Sequence, residues 1–389
     1  MSTNDILLDH HFVPHIQPPA TVVVGMSGGV DSSVSAALLK EMGYNVIGLF
    51  MKNWEEKDEN GVCTSEQDYQ DVVKVCDKLK IPHYSLNLAK EYKEFVFQEF
   101  IEGLKQGKTP NPDILCNREI KFQRLLSYAL KLGAEALATG HYAQNMYSEG
   151  SHLLLKGNDP IKDQTYFVYT INNDILKHVL FPVGGMPKSQ VRALAHHYGL
   201  ATAAKKDSTG ICFIGERNFR KFLQDFLPYQ KGKFEQLNGK VVGEHMGCAY
   251  YTIGQRRGLG LGGEGDAWFV VGKDITHNIV YVERGEKHPA LYADTLVAKN
   301  ASWVKKQPPN TPCILRAKIR YRQPDQECVI EKIEDGTLFV RFLCPQRAIT
   351  EEQSIVFYEN ETCLGGAIIE KRGPSYYEMN LPLPEHVST

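Results

Sequence analysis

The sequence predicts an α/β protein in three parts: a Rossmann-like parallel-sheet N-terminal domain, a small β-rich central domain and a C-terminal antiparallel β-barrel. Three observations predict it. Strand and helix patterns alternate from residue 21 to about 140, a glycine-rich turn follows the first strand, and after Pro228 short runs broken by Gly and Asp replace the helical pattern. In order, 21–25 reads as an apolar strand, 33–42 as a helix ending at Gly43, and 45–51 as a second strand. Residues 66–79 read as a helix, 83–88 as a strand, and 92–104 and 118–132 as helices, the last with Phe122, Leu125, Leu126 and Ala129 on one face. A strand at 135–139 completes the alternation. Helical patterns then continue to about Phe226, including 188–197 and 216–226. Beyond Pro228, β-like runs at 240–242, 267–271 and 278–282 precede alternating strands at 313–321, 338–342, 354–358 and 363–370. The expected divisions are an extension at 1–20, a catalytic domain at 21–226, a central domain at 227–289 and a barrel at 290–389. A parallel sheet covered on both faces binds ligands beyond the carboxyl ends of its strands.

Composition narrows the class without naming a function. The 389 residues carry 44 Lys and Arg against 46 Asp and Glu, so any nucleic-acid surface must be a local patch. No apolar run is long enough to span a membrane, and the first twenty residues lack the order of a secretory signal or a transit peptide. Nine cysteines without a C-x-x-C pair suggest neither a secreted disulfide framework nor a zinc site, and no metal ligand set is expected. A reducing cytoplasm is the expected location.

The strongest local signal is Ser27-Gly28-Gly29-Val30-Asp31-Ser32-Ser33, between the first strand and the first helix. Adjacent glycines let the backbone turn tightly and approach an anion, and the following helix N-terminus offers N–H groups to phosphate. Asp31 would repel a bare phosphate, which argues for a metal ion bridging phosphate oxygens. The loop lacks the G-K-[ST] ending of a Walker A motif. It resembles instead the pyrophosphatase loop of ATP enzymes that cleave between the α- and β-phosphates and adenylate a carbonyl oxygen.

Two cysteines stand out. Asn111-Pro112-Asp113-Ile114-Leu115-Cys116-Asn117 leads into the helix expected from Arg118, with Asn117 as its N-cap. Cys116 would then lie at a helix N-terminus near Arg118 and Lys121, a setting that favours the thiolate. Cys212 lies in Asp207-Ser208-Thr209-Gly210-Ile211-Cys212-Phe213, a polar loop after Lys205 and Lys206. Either thiol alone reads as well as a small core residue. Cys76, Cys313, Cys328, Cys344 and Cys363 read as core, while Cys63 and Cys248 stay undecided. Along 313–322, Arg316, Lys318, Arg320 and Arg322 alternate with Leu315, Ala317, Ile319 and Tyr321. That pattern puts four cations on one face, able to track a phosphate backbone or merely to be solvated, and Gln255-Arg256-Arg257 is a second basic loop of the same ambiguity.

Taken together, the loop and the two cysteine motifs resemble the tRNA-specific 2-thiouridylases, from about Val22 to the C-terminus. Residues 63–82, 139–143, 162–166, 254–258 and 363–366 fit the same pattern. The resemblance implies an adenine-nucleotide α-hydrolase-like catalytic domain that replaces O2 of the tRNA wobble uridine with sulfur. It implies ATP, with accompanying Mg2+, held by Gly25, Met26, Ser27, Gly28, Gly29, Val30, Asp31 and Ser32 and framed by Met51 and Gly140. Cys212 would carry a persulfide delivered by a sulfur-relay protein, Cys116 would resolve it as a disulfide, and Asp113 would serve as base or base-positioning group. Contacts to tRNA are implied at Asn111, Pro112, Asp113, His141, Lys162, Asp163, Gln164, Arg320, Tyr321 and Gln353. A target base must leave its stack to be modified. Two alternatives stay open on sequence: another adenylating synthetase, or a non-catalytic RNA-binding protein with a regulatory disulfide. Whether free sulfide or the persulfide attacks is also open.

Overall fold

The computed structural model describes residues 12–54, 64–207 and 219–387. Five parallel strands form the first sheet: β1 (Thr21–Met26), β2 (Asn45–Lys52), β3 (His83–Asn87), β4 (Ala136–Ala138) and β7 (Val179–Leu180), in the order β3-β2-β1-β4-β7. The run Val22-Val23-Val24 is wholly buried, as a central strand covered on both faces demands. Side chains alternate across the sheet. Val22 and Val24 join one core with the helices Val30–Glu41, Thr64–Leu79 and Lys188–His197, whereas Val23 joins the opposite core with Phe122, Leu125 and Leu126. Strand order reverses between β1 and β4, so the crevice for a ligand opens at their carboxyl ends. Residues 12–20 are docked on this domain: Phe12 and Ile16 pack on the first core, and Tyr44 Oη donates to the Ile16 carbonyl at 2.5 Å.

Two helices flank the crevice on the second side. One runs over 89–105 with a π-helical turn at Lys93–Phe97, and the other over 112–131 with a π-helical stretch at Cys116–Leu125. The second begins earlier than its apolar periodicity predicts. Its N-cap is Asn111, whose side chain accepts from Asp113 N and Ile114 N at 3.1 and 3.3 Å, with Pro112 in the first helical position. Asn117 is therefore no cap: it is buried, and its Nδ2 donates to the Phe167 carbonyl at 2.9 Å.

Residues 143–156 correct a second expectation. They form a hairpin, β5 (Ala143–Ser148) and β6 (Ser151–Lys156), not a continuation of helix. Its two-residue turn, Glu149-Gly150, has φ of 50° and 80°, the left-handed geometry that fits strand twist. Without an Asn-Gly or Asp-Gly pair, this turn carries no strong hairpin signal.

The central part is a four-stranded sheet of β8 (Gly232–Glu235), β9 (Val241–His245), β10 (Trp268–Asp274) and β11 (Ile279–Arg284), ordered β10-β11-β8-β9. Six antiparallel strands follow: β12 (Tyr292–Trp303), β13 (Cys313–Lys318), β14 (Gln326–Glu334), β15 (Thr337–Arg347), β16 (Ser354–Glu359) and β17 (Thr362–Arg372). They run β12-β15-β14-β13-β16-β17 and close through β12–β17 pairing, a barrel without free edges. Strand β17 also pairs with β6, at Thr362–Leu155 and Cys363–Leu154, so hairpin and barrel share a sheet.

The expected row of four cations does not form. Leu315, Ala317 and Ile319 do enter the barrel core, but β13 ends at Lys318, which is buried against Asp163. Arg320 turns inward to donate to the Ile253 and Ala348 carbonyls at 2.8 and 3.0 Å, and Tyr321 packs on Phe167 instead of inside the barrel. Cys76, Cys328 and Cys363 are buried, as is Cys248, and Cys313 is partly so. Cys344 is exposed instead: the β12–β15 register slips between Ala293 and Thr295, and Leu343 and Cys344 bulge outward together. Cys63 and Cys212 lie outside the described residues. No helix among the described residues is long and apolar enough to cross a membrane.

Candidate functional site

The phosphate-type loop leaves β1 at Met26 and enters the helix Val30–Glu41 through Gly29. Gly28 adopts φ 73°, and a Cβ there would stand 2.6 Å from the Asp68 carbonyl oxygen, so only glycine fits. Ser27 and Ser32 tie the loop closed: Ser27 N donates to Ser32 Oγ at 3.2 Å, and Gly29 N donates to Ser27 Oγ at 3.3 Å. No side-chain hydrogen bond caps the helix, which leaves its first N–H groups and its dipole for an anion. Gly140 follows β4 and presses on the same turn; a Cβ there would lie 2.7 Å from Ser32 N. Met51 stands near the end of β2, packed between the second sheet core and the cluster that holds Cys116.

Asp31 has its own counter-ion. Lys188 Nζ, from the first turn of Lys188–His197, donates to its two oxygens at 2.6 and 2.8 Å, and Tyr142 Oη donates to Oδ1 at 2.8 Å. Burial and then Asp31 itself raise the Tyr142 phenol, which stays a donor. Asp31 is thus paired with an ammonium in this structure. Among the described residues no cluster of His, Cys, Asp or Glu forms a metal cage. One carboxylate beside a phosphate cradle does fit an ion carried mainly by phosphate oxygens and water.

Lys188 also reaches Asp207 at 3.0 Å, where Lys162 and Arg192 converge at 2.6 and 2.5 Å. Burial alone would raise the Asp207 carboxyl, but Lys162 and Lys188 overcome it and hold the group at about 2. Lys205 pairs with Asp68 and Asp71, both at 2.8 Å. Residues 205–207 are thus clamped beside the phosphate loop at the point where the chain enters the segment that carries Cys212. Neither Lys188 nor Arg192 was singled out by the sequence; no motif marks them, because their partners are remote in the chain.

Cys116 is fully buried. It sits in an apolar cluster with Trp54, Tyr92, Phe97 and Leu115, and with Phe222 and Leu223 of the helix Phe219–Gln224 beyond the Cys212 segment. Burial pushes its thiol up to about 11, against a smaller pull from Lys121. The expected thiolate-favouring setting is therefore absent here, because Cys116 lies inside the helix and not ahead of it. Asp113, partly exposed, has a buried Oδ1 without a hydrogen-bond partner among the described residues. His141 accepts from or donates to Thr139 Oγ1 at 2.8 Å between the Phe122 and Phe181 rings, and burial keeps it neutral.

The structure brings Gly25–Ser32, Gly140, His141 and Tyr142 together at the strand ends. Asn111, Pro112 and Asp113 open the adjacent helix, and just before it the Thr109 carbonyl accepts from Gln353 of the barrel at 2.5 Å. Lys162, Asp163 and Gln164 bind within the protein: to Asp207, to Thr165 and Lys318, and to Tyr142 N. Arg320 joins the barrel to a loop of the central part through the Ile253 carbonyl, and Tyr321 stands on Phe167 at 4.5 Å between ring centroids.

Family models match nearly the whole chain. The tRNA methyl transferase HUP domain covers residues 20–216, the tRNA methyl transferase PRC-barrel domain 220–284, and the aminomethyltransferase beta-barrel domain 293–369. Full-length relatives carry a different name. A tRNA-specific 2-thiouridylase MnmA of Protochlamydia amoebophila is 61% identical over 94% of this chain and 97% of its own. Proteins of the same name from Halalkalibacterium halodurans and Exiguobacterium sibiricum are 54% and 53% identical, each over 90% of this chain and 94% of its own. With that identity along almost its full length, this chain belongs to the tRNA-specific 2-thiouridylase family.

Proposed function

We propose that this enzyme replaces O2 of the wobble uridine in tRNA with sulfur, at the expense of ATP. The observation that carries the reading is the full-length identity to 2-thiouridylases, and the uncapped, lysine-balanced phosphate loop supports it. Residues 21–226 would perform the chemistry and residues 290–389 would bind RNA, joined by 227–289. ATP and tRNA as substrates fit a cytoplasmic enzyme.

The chemistry follows from what uracil lacks. Its C2 carbonyl is a weak electrophile with a poor leaving group, so O2 attacks the α-phosphorus of ATP and pyrophosphate departs. Gly25 to Ser32 hold the phosphates, Met51 and Gly140 frame the nucleotide, and Lys188 offsets the developing charge. Mg2+ bound to the phosphates with Asp31 beside it would add charge neutralisation. Asp113 takes the N3 proton as O2 becomes nucleophilic; its unpartnered Oδ1 is an acceptor ready for that N–H. The terminal sulfur of a Cys212 persulfide then attacks C2, and AMP leaves with the former O2. Cys116 attacks the Cys212 sulfur, which frees the thiolated base and leaves a disulfide for external reduction. A sulfur-relay protein supplies the persulfide. Since Cys116 is buried and protonated here, that last step requires its apolar cover to open, and the helix Phe219–Gln224 is the part of that cover joined to the Cys212 segment. Asn111, Pro112, His141, Arg320, Tyr321 and Gln353 would position the flipped base and its flanks.

The test is nucleoside mass spectrometry of unmodified tRNA incubated with protein, ATP, Mg2+ and a relay-supplied persulfide. The reading expects 2-thiouridine with equimolar AMP, lost in Cys116→Ser and in Cys212→Ser. Unmodified tRNA, with AMP release driven by some other carbonyl compound, would reject it.

A further inference from the structure

Asp31, Lys162, Lys188, Arg192 and Asp207 meet where the loop after the hairpin, the helix Lys188–His197 and the phosphate loop come together. Three cations share one carboxylate. Asp207 Oδ1 meets Lys188 Nζ at 3.0 Å and accepts from Arg192 at 2.5 Å, and its Oδ2 accepts from Lys162 Nζ at 2.6 Å. Lys188 is shared in turn, since its Nζ also donates to both oxygens of Asp31, at 2.6 and 2.8 Å. One ammonium therefore stands between two carboxylates. The charge that Asp207 still has to offer sets how firmly Lys188 holds Asp31.

The three cations of Asp207 are not equally held. Arg192 is fixed by two further bonds, to the Ala203 and Lys205 carbonyls at 3.2 and 3.0 Å. Lys188 is anchored at both ends: its backbone N donates to Asp159 Oδ2 at 3.0 Å, and its Nζ has Asp31. Lys162 has Asp207 alone among the described residues, and 26% of its side chain is exposed, next to the exposed Ile161. It is the cation that an outside anion can remove. A phosphate of RNA competes with Asp207 for it, because both offer negatively charged oxygen acceptors.

We propose that Lys162 and Asp207 are positioning residues that couple RNA binding to ATP binding. RNA takes Lys162, Asp207 is left with two cations, and it draws Lys188 away from Asp31. Asp31 keeps one partner through the shift, because Tyr142 Oη donates to its Oδ1 at 2.8 Å. The Lys188 ammonium and the second Asp31 oxygen, no longer spent on each other, become available at the phosphate loop. The idea rests on the tRNA-thiolating function proposed above. It adds a reason for ATP to be bound tightly only beside RNA.

The experiment measures binding of α,β-methylene ATP, which resists cleavage between those phosphates, by equilibrium dialysis in Mg2+ with and without saturating unmodified tRNA. Binding of tRNA is read separately by filter binding. Coupling between two sites is reciprocal and typically reaches roughly 5- to 150-fold. In wild type, tRNA is expected to tighten analogue binding by about tenfold, and the analogue to tighten tRNA binding by the same factor. Lys162→Met imitates the RNA-bound arrangement. It should bind the analogue about tenfold tighter than wild type without tRNA and gain little when tRNA is added. Lys162→Arg, which returns a donor to Asp207, should behave as wild type. A merely structural Lys162 predicts the opposite sign, so weaker analogue binding by Lys162→Met overturns the inference. A wild type that binds tRNA and analogue independently overturns it too, and both results leave the functional reading standing. A wild type that binds no tRNA sinks the functional reading and this inference with it. Should Lys162→Met fail to fold, Asp207→Asn supplies the comparison, since without that carboxylate analogue binding must be equal with and without tRNA.

Discussion

Lys188 and Asp31 lie 157 residues apart in sequence and 2.6 Å apart in space. No spacing rule could have paired them, whereas Ser27 to Ser33 was legible because a phosphate loop is local: its glycines, hydroxyls and helix start are contiguous. Removing the ammonium strips a preorganised charge from the phosphates, so Lys188→Met should lower ATP-dependent AMP formation by roughly a hundred- to a thousandfold, measured as pyrophosphate release. Cys116 shows the opposite failing of local reading. Its neighbours in sequence suggested an activated thiol, but the helix starts at Pro112, not beyond Cys116, and the side chain falls inside the cluster. With its thiol near 11, only roughly a thousandth is thiolate at about pH 8. Iodoacetamide at that pH should therefore label Cys116 slowly in the ATP-free, RNA-free protein and readily after denaturation, as peptide mass spectrometry would read. Rapid labelling of the folded protein would contradict the burial.

At the scale of elements, the strands and helices that carry strong periodicity were legible, and the helix Lys188–His197 coincides with its expected bounds. Failures came where a short element is stabilised by something remote. The hairpin at 143–156 exists because β6 pairs with β17 from the far end of the chain, and its Glu149-Gly150 turn advertises little. The helix at Pro112 was hidden because its cap and proline precede the apolar pattern that announces helices. Asn111→Ala should cost about 1 kcal/mol of stability through the lost cap, seen as a shift in the urea midpoint. Gly140→Ala tests the close approach of two elements. Its Cβ would press on Ser32 N at 2.7 Å and on Asp31 C at 2.8 Å, so the helix start must shift. ATP-dependent turnover should fall about a hundredfold with the circular dichroism spectrum unchanged.

Across the whole molecule, the three-part architecture was readable because each part has its own residue pattern, while the contacts among parts were not. Lys318 and Arg320 read in sequence as members of a surface row of cations, and both, with Gln353, fasten the barrel to another part. The ion network around Asp207 is the corresponding fastening near the site. Its carboxyl is depressed from 3.8 to about 2, so its stabilising contribution is complete above about pH 4 and is lost as pH falls through about 2. Urea midpoints of wild type and Asp207→Asn should differ most above about pH 4 and converge toward about pH 2. If O2 of uridine is activated by adenylation within this loop, that oxygen must leave with AMP, and isotope transfer follows it. tRNA carrying heavy oxygen at the wobble uridine O2 is thiolated in one turnover, and the AMP is analysed by mass spectrometry. One heavy oxygen should appear in AMP for each thiouridine formed. Unlabelled AMP accompanying thiouridine would contradict it, because the departing oxygen would then have left by another path.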